Sequence, residues 1–250
     1  MNVGEIVRIA RSAGEAILDI YKRDFDIEFK ADDSPLTEAD KAAHKLIMSE
    51  LSETVPDIPV LSEEDTELFN GANPEGLYWL VDPLDGTKEF VKRNGEFTVN
   101  IALIEHGIPI LGVVYAPVLD EMYFASKGKG AFKVYGTGRP QRITVSRHEV
   151  GEILKVVGSR SHAGEETQQW LSQFDKYEMI SMGSSLKLCL VAEGAAHFYP
   201  RLGPTSLWDT AAAHAVVLEA GGDVVDLNDV RLSYANTDKL LNPYFVVKAV

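Results

Sequence analysis

The stretch WLVDPLDGT, residues 79–87, carries the densest information about fold and chemistry in this sequence. Its apolar start predicts a buried strand that delivers Asp82 to its end, where the following proline predicts a turn. Asp85 comes three residues later, beside Gly86, whose backbone reaches conformations that other residues resist. The two carboxylates can therefore converge on one point, and Thr87 can begin a helix with its hydroxyl directed there. The alternative is that both acids are ordinary turn residues without a chemical role, since Asp and Gly are common in turns.

Further acids stand at the ends of other predicted elements. Glu63 begins a run of three acids that follows the predicted strand 58–61 after Ser62, although such runs are usually solvated. Asp209 stands at the first turn of a predicted helix, 207–220, which is apolar on nearly every side and is therefore expected to be buried. Asp209 could simply cap this helix, a contribution of about 1 kcal/mol. His214 on the same helix fits a hydrogen-bonded core histidine better than a metal ligand.

A single explanation accounts for these acids better than three separate ones. Glu63, Asp82, Asp85 and Asp209, with a backbone carbonyl from the turn, form an all-oxygen cluster, and such ligands favour Mg²⁺ over zinc. Bound cations remove the repulsion between buried carboxylates, and they can activate water against a phosphate ester. Thr87 and Glu63 are the candidates to orient and deprotonate that water. The sequence contains no competing Ser-His-Asp or Cys-His motif and no glycine-rich phosphate loop.

The composition of the 250-residue chain disfavours several function classes. Hydrophobic residues make up 45% and charged residues 25%, which is typical of a globular protein with a sizeable core. The formal charge of −14 disfavours nucleic acid as a partner. The one cysteine, Cys189, excludes an internal disulfide and suits a reducing compartment. No apolar run reaches the length of a membrane span, so the cytoplasm is the predicted location. Peripheral attachment to the inner face of the cell membrane, like the oligomeric state, stays open.

The sequence predicts two halves that differ in the order of their helices and strands. Residues 2–22 predict an amphipathic helix, and a second helix follows, capped by Thr37 with Asp40 three residues later. Short strands separated by turns then fill the region up to about residue 125, and strands alternate with helices from about residue 140. We therefore expect an α+β half over 1–140, which binds the metal, and an α/β half over 141–250, which contributes substrate-binding groups and the last metal ligand.

The sequence resembles the inositol monophosphatase-like family of Mg²⁺-dependent, lithium-sensitive phosphatases. Two family signatures carry the resemblance, one at 79–87 and one at 208–222 (WDTAA to EAGG). The match extends to the branch of 3′(2′),5′-bisphosphate nucleotidases within that family. The stretches that support this branch are 30–40, 60–65, 82–90, 93–104, 159–162, 183–187 and 199–201.

The resemblance implies the layered αβαβα sandwich of the sugar-phosphatase superfamily. The metal ligands that it implies are Glu63, Asp82, the backbone carbonyl of Leu84, Asp85 and Asp209, around two or three Mg²⁺ ions. Thr87 matches the position that activates water together with Glu63, and Asp40 matches a family acid close to the metals. The implied reaction removes the 3′-phosphate of adenosine 3′,5′-bisphosphate to give AMP, which recycles a by-product of sulfate assimilation.

A bisphosphate substrate needs positive or amide groups that an acidic protein must concentrate locally. Arg160, Lys187 and Arg201 stand beside Ser- or Gly-containing loops, although each taken singly could be a surface residue. An Arg at position 201 favours an anion over a polyol, because guanidinium binds phosphate bidentately. Ser184 begins a predicted helix whose amides can bind an anion. The substrate-binding set implied by the resemblance is Gly86, Thr87, Arg160, His162, Ser184, Lys187, Arg201 and Asp209.

Two other functions remain open at this stage. The first is an inositol or sugar monophosphatase with the same fold. The second is a non-catalytic protein that binds divalent cations or nucleotides, although Thr87 speaks against it, because a metal cage needs no hydroxyl beside the water.

Overall fold

The structure is a computed structural model that describes residues 2–25, 27–29, 35–149, 151–158 and 165–250. Its helices are α1 (Val3–Tyr21), α2 (Glu38–Thr54), α3 (Thr87–Val91), α4 (Glu165–Leu171), α5 (Leu186–Ala192) and α6 (Leu207–Glu219). Its strands are β1 (Ile27–Phe29), β2 (Pro35–Thr37), β3 (Val60–Ser62), β4 (Leu77–Asp85), β5 (Thr98–Glu105), β6 (Ile108–Ala116), β7 (Glu121–Ser126), β8 (Gly130–Tyr135), β9 (Gln141–Ile143), β10 (Leu154–Gly158), β11 (Tyr177–Ser181), β12 (Phe198–Arg201), β13 (Gly222–Asp226) and β14 (Phe245–Ala249).

Helices α1 and α2 form the first layer. The apolar residues of α1 recur at helical spacing and are buried, among them Ile6 and Ile17. α2 begins with the predicted capping box: the Thr37 hydroxyl accepts from the amide of Ala39, and the Asp40 carboxylate accepts from the amide of Thr37 at 2.8 Å. Both predicted helices are confirmed, and the box fixes the orientation of the Asp40 side chain.

The second layer is a seven-stranded sheet in the order β3-β4-β5-β6-β7-β8-β9. Only the β3–β4 pair within it is parallel, and the short connections between the other strands explain why they pair antiparallel. Side chains alternate between its faces: Trp79 and Val81 pack towards α1 and α2, and Tyr78 and Leu80 pack towards the opposite side. Both faces are therefore covered.

Helices α5 and α6 form the third layer, between two sheets. α6 packs against β5 and β6 on one side and against β13 on the other, which explains why the helix is apolar all round. The approach to β6 is so close that a Cβ atom on Gly112 would lie 2.1 Å from the carbonyl oxygen of Ala212. The absence of a side chain at Gly112 therefore sets the position of α6.

A five-stranded sheet and α4 complete the layers. The sheet order is β11-β10-β12-β14-β13, with β10 parallel to β11 and β12, and β14 antiparallel to both of its neighbours. Leu171 of α4, with Trp170 and Phe174, packs on the outer face of this sheet against Val156 and Phe198. The resulting order helix, sheet, helix, sheet, helix confirms the αβαβα sandwich.

One local expectation was wrong. Pro83 does not end its strand in a turn, because β4 continues to Asp85. Pairing with β5 instead shifts in register between Asp82 and Asp85. Proline has no N–H for the ladder, so an irregularity within a strand accommodates it.

The two sheets share the helix α6, which comes from the second half of the chain and packs on the sheet of the first half. β9 pairs with β8, although it lies just beyond residue 140. The division of the chain into 1–140 and 141–250 stays a prediction. Within the described ranges, no helix combines the length and the apolarity needed to cross a membrane.

Candidate active site

Two neighbouring parallel strands deliver the first two carboxylates. β3 pairs with β4 so that Ser62 lies opposite Val81, and the amide of Glu63 donates to the carbonyl of Val81 at 3.1 Å. Glu63 and Asp82 are thus the next residues along these two strands. Because the strands run in the same direction, both acids emerge at the same edge of the sheet.

The irregularity in β4 places Asp85 in the same region. Asp82 lies opposite Asn100 and Asp85 lies opposite Thr98, although three positions separate the acids and only two separate their partners. The bulge is held by the Leu84 amide, which donates to Asp82 Oδ1 at 3.0 Å. The other oxygen, Asp82 Oδ2, is buried and has no hydrogen-bond partner among the described residues.

The fourth carboxylate comes from a distant part of the chain. Asp209 lies in the first turn of α6, where its side chain accepts from the amide of Ser206 at 2.8 Å. Carboxylate oxygens of Asp82, Asp85 and Asp209 lie within 4.8 Å of one another. The capping role foreseen for Asp209 therefore coexists with a place in the acidic cluster.

The metal-free cluster is electrostatically unfavourable. Burial, and then the charges of Glu63, Asp85 and Asp209, raise the pKa of Asp82 well above its usual range. Burial, and then the charges of Asp85 and Glu63, likewise raise the pKa of Asp209. A divalent cation would remove this repulsion and supply the partner that Asp82 Oδ2 lacks. The donors are all oxygen, so the residues present fit a hard cation.

Thr87 links the cluster to α2. Its hydroxyl donates towards Asp40 Oδ1 at 3.2 Å and also lies 3.3 Å from the carbonyl oxygen of Leu84. Gly86 precedes it with φ of 91°, a left-handed conformation that allows the sharp change from strand to helix. Burial raises the pKa of Asp40, whereas hydrogen bonds from Thr37 lower it in part. Asp40, Thr87 and the Leu84 carbonyl thus form one hydrogen-bonded group.

A second network positions Asp85 from the side of α5. The amide of Ser185 donates to Asp85 Oδ2 at 2.6 Å, and the hydroxyl of Ser184 donates to the same oxygen. Beneath them, the Ser185 hydroxyl donates to Asn100 Oδ1 at 2.8 Å and lies 2.8 Å from the hydroxyl of Thr98. Sequence analysis predicted Ser184 but gave Thr98 and Asn100 no role, because neither stands in a pattern that distinguishes it from other strand residues.

Predicted residues from both halves of the chain border one cleft of about 330 Å³. Those that line it are Asp85, Gly86, Ser184, Lys187, Arg201 and Asp209. Further polar residues in its wall, to which sequence analysis gave no role, are Lys88, Glu89, Lys92, Tyr199 and Thr205. Lys88 and Lys92 are one helical turn apart directly after the DGT motif, and that spacing is the signal that could have found them.

Two cations in the cleft wall are held in place by hydrogen bonds to nearby backbone carbonyls and to one threonine hydroxyl. Lys187 Nζ donates to the carbonyl of Ser184 at 2.6 Å and lies 5.7 Å from the centre of the Tyr199 ring. Burial lowers the pKa of Lys187, an effect that the charge of Asp85 opposes. Arg201 donates from Nε to Thr205 Oγ1 at 2.7 Å and from Nη2 to the carbonyl of Pro204 at 2.8 Å. Arg160 and His162, also predicted to bind substrate, lie outside the described residues.

Comparison with known proteins agrees with this geometry. Residues 3–246 match the inositol monophosphatase family. The chain is 51% identical over 245 residues to the 3′(2′),5′-bisphosphate nucleotidase CysQ of Escherichia coli (strain K12), covering 97% of this chain and 98% of that protein. The crystal structure of CysQ from Bacteroides thetaiotaomicron superposes with a TM-score of 0.86 at 43% identity, over 99% of this chain and 97% of that one. An inositol monophosphatase from Thermotoga maritima superposes with a TM-score of 0.78 at 27% identity, over 97% of this chain and 89% of that one.

Proposed function

Because this chain belongs to the inositol monophosphatase family, we propose that it is a 3′(2′),5′-bisphosphate nucleotidase. It hydrolyses the 3′-phosphate of adenosine 3′,5′-bisphosphate and releases AMP and phosphate. Relatives at 51% identity over nearly the whole chain carry that name. The observation that carries the proposal is a cleft in which an acidic cluster, Asp82, Asp85 and Asp209, adjoins two cations, Lys187 and Arg201.

The acidic cluster is the proposed metal site, for two or three Mg²⁺ ions. The residues that would hold them are Glu63, Asp82, Asp85, Asp209 and the carbonyl of Leu84. Bound cations supply a hydroxide near neutral pH and neutralise charge on the phosphate. The support for this site is the buried Asp82 oxygen without a partner among the described residues, surrounded by further carboxylates.

Thr87 and Asp40 are proposed to handle the proton of the attacking water. Asp40 accepts a hydrogen bond from the Thr87 hydroxyl, which leaves the Thr87 oxygen lone pairs to accept from water. Asp40 is the base of this group, because a carboxylate can take up a proton and the Leu84 carbonyl, the other acceptor near the Thr87 hydroxyl, cannot. Glu63, at the neighbouring strand end, orients the same water. These three residues are the proposed catalytic residues of the chain.

A further set of residues is proposed to bind the substrate. Gly86, Thr87 and Asp209 lie where the scissile phosphate and its ester would meet the acidic cluster. Ser184, Lys187 and Arg201 hold the rest of the bisphosphate, since a second anionic group requires cations away from the acids. Arg160 and His162 are proposed for the same set on the resemblance of their sequence alone.

The cytoplasm remains the proposed location, because Cys189 is a buried free thiol.

Phosphate release from a panel of nucleotide and inositol phosphates, with Mg²⁺ and with EDTA, tests the proposal. We expect adenosine 3′,5′-bisphosphate to be preferred over inositol 1-phosphate by more than about tenfold in kcat/KM, equivalent to about 1.4 kcal/mol. EDTA should abolish turnover, and lithium should inhibit it. Preference for the inositol ester would favour an inositol monophosphatase, and absence of all turnover would favour a non-catalytic binding protein.

Arg201→Glu tests which residue gives the preference for a bisphosphate. The substitution replaces a guanidinium by a carboxylate in the cleft wall, so it should narrow or reverse the ratio of kcat/KM between the two substrates. Lys129→Glu, a charge reversal in an exposed turn between β7 and β8, is the control. An equal fall of both activities would show that Arg201 does not discriminate between them.

A further inference from the structure

Asn242 is a buried asparagine in a part of the chain where sequence analysis found no motif. It lies just before β14, with only 9% of its surface exposed. Its side-chain Nδ2 shares its two hydrogens among three acceptors, the carbonyl of Ser206 at 2.8 Å, Thr210 Oγ1 at 3.1 Å and the carbonyl of Thr205 at 3.3 Å. Backbone carbonyls only accept hydrogen bonds, so it is the amide nitrogen that must face this loop.

One branch of this network leads to the substrate cation. Thr205, whose carbonyl accepts from Asn242, uses its hydroxyl to accept from Arg201 Nε at 2.7 Å. The Asn242 backbone amide donates to the same Thr205 carbonyl at 2.9 Å. The position of the Arg201 guanidinium in the cleft therefore depends on where Asn242 holds Thr205.

The other branch leads to the acidic cluster. Ser206, whose carbonyl accepts from Asn242, is the N-cap of α6, and its amide donates to Asp209 Oδ2 at 2.8 Å. Thr210, the next residue after Asp209, accepts from the same Asn242 nitrogen. The first turn of α6 is thus held on both sides of the carboxylate.

We infer that Asn242 is a positioning residue that aligns the substrate cation Arg201 with the metal ligand Asp209. The inference rests on the proposed function, because it assigns Asn242 to the binding of both the metal and the second phosphate. One side-chain amide sets the spacing between the two groups, and that spacing must match the distance between the two phosphates of one substrate. Small errors in such spacing cost rate and affinity even when every contacting residue is intact.

Backbone hydrogen bonds around Asn242 should keep its loop in place when the side chain is removed. The Leu207 amide donates to the carbonyl of Leu240 at 2.8 Å, and the Asn242 amide bonds to Thr205, so the two segments stay paired without the Asn242 side chain. Asn242→Ala removes the side-chain donors alone. Asn73→Ala is the matched control. The Asn73 side chain also anchors a loop, because it donates to the carbonyl of Asp57 and accepts from the amide of Leu77, but this loop lies at the end of β4 that is remote from Asp82 and Asp85.

The experiment measures KM for adenosine 3′,5′-bisphosphate, the Mg²⁺ concentration for half-maximal activity, and Mg²⁺ binding by calorimetry. At a temperature where every variant is folded, Asn242→Ala should raise KM about tenfold and weaken Mg²⁺ binding several-fold, since it removes bonds that orient charged groups. Asn73→Ala should change neither quantity. If Asn242→Ala lowers only the melting temperature and leaves KM and Mg²⁺ binding unchanged, the residue is merely structural and the inference is overturned.

Two further variants separate the branches. Thr205→Val keeps the shape of Thr205 but removes the acceptor for Arg201, so it should raise KM and leave Mg²⁺ binding as in the wild type. In an Arg201→Gln background, Asn242→Ala should raise KM by less than about twofold, because coupled residues are not additive. Full additivity would overturn the Arg201 branch. If the wild type prefers another phosphate ester, the proposed function fails, while the calorimetric Mg²⁺ result still decides the Asp209 branch.

Discussion

Asp82 is the residue at which burial and charge conflict most strongly. It is 1% exposed, it receives one hydrogen bond from Leu84, and its neighbours Glu63, Asp85 and Asp209 are all acids. A chain stabilised only by its own contacts would not place three carboxylates within 4.8 Å of one another, with the charge of Glu63 acting on them as well. A bound metal ion would relieve this conflict, so we expect stability and activity to depend on the same side chains.

Thr87 is the residue whose role is most sharply testable. Thr87→Ala removes the hydroxyl that bonds to Asp40 and leaves the carboxylates in place. We expect kcat to fall by about 10²–10⁴-fold, the usual contribution of a positioned acid–base group. Mg²⁺ binding by calorimetry should stay within about twofold of the wild type, since no carboxylate is lost. Thr87→Ser, which keeps the hydroxyl, is the control, and undiminished hydrolysis by the alanine variant would contradict the proposed proton path.

The residues predicted from sequence are those that stand in a pattern. Asp82 and Asp85 were found because an apolar run, a proline and a glycine surround them, and Asp209 because it precedes an apolar helix. Asn242 carries no such sign, since its role comes from a loop 36 and 37 positions away in the chain. Polar contacts of that span follow from the packed structure and not from local sequence.

Among the helices and strands, α6 has the largest effect on the geometry of the site. It is buried between two sheets, it carries Asp209 at its first turn, and its carbonyls approach β6 over Gly112. The apolar faces of the helix predicted its burial, but periodicity does not tell which sheets cover it. Helices with long patterns were predicted well, whereas β1, β2 and β9, of three residues each, are too short to show alternation.

Gly112→Ala tests the placement of α6. The added methyl group would meet the Ala212 carbonyl oxygen at 2.1 Å, so the helix must move away from β6. We expect a loss of about 1–3 kcal/mol in the free energy of unfolding, measured by urea denaturation, and weaker Mg²⁺ binding because Asp209 moves with the helix. Gly158→Ala is the matched strand control, because its new Cβ would meet only the end of the flexible Met179 side chain. Equal stability of the two variants would show that α6 tolerates displacement.

At the scale of the whole molecule, the site lies where the layers meet. The seven-stranded sheet provides Asp82 and Asp85, and the helical layer between the sheets provides Ser184 and Asp209. The wall with Arg201 comes from β12 of the five-stranded sheet. The composition predicted a globular chain. The change from successive short strands to alternating strands and helices near residue 140 predicted a mixed fold. The order of the layers, however, came from the family resemblance, because residue patterns do not specify which sheet faces which helix.

The stability of the whole molecule should depend jointly on pH and Mg²⁺. The raised pKa values of Asp82 and Asp209 mean that the metal-free native chain holds protons that the unfolded chain releases. Their contribution is therefore favourable at low pH and is lost as the pH rises from the usual value of 3.8 through the raised values. Mg²⁺ would bind these acids in their deprotonated form, so we expect its stabilising effect to grow over the same rise in pH.

Thermal melts with Mg²⁺ and with EDTA measure this coupling. The difference in Tm should increase as the pH rises above the ordinary carboxyl pKa of 3.8 and reach roughly 5–10 °C at saturating Mg²⁺. Asp82→Asn should melt higher than the wild type in EDTA, because an amide is neutral at every pH and needs no proton uptake on folding, and it should gain little from Mg²⁺. A difference in Tm that does not change with pH would rule out proton release from these carboxylates.

The position of β14 bears on when activity first arises during synthesis. This strand inserts between β12 and β13, so both neighbours keep open edges until residues 245–249 have emerged from the ribosome. A nascent chain that stops short of them has all the acids of the cluster but no completed sheet to hold Arg201 and the loop before α6. We therefore expect a nascent chain to be inactive until β14 has paired with both of its neighbours.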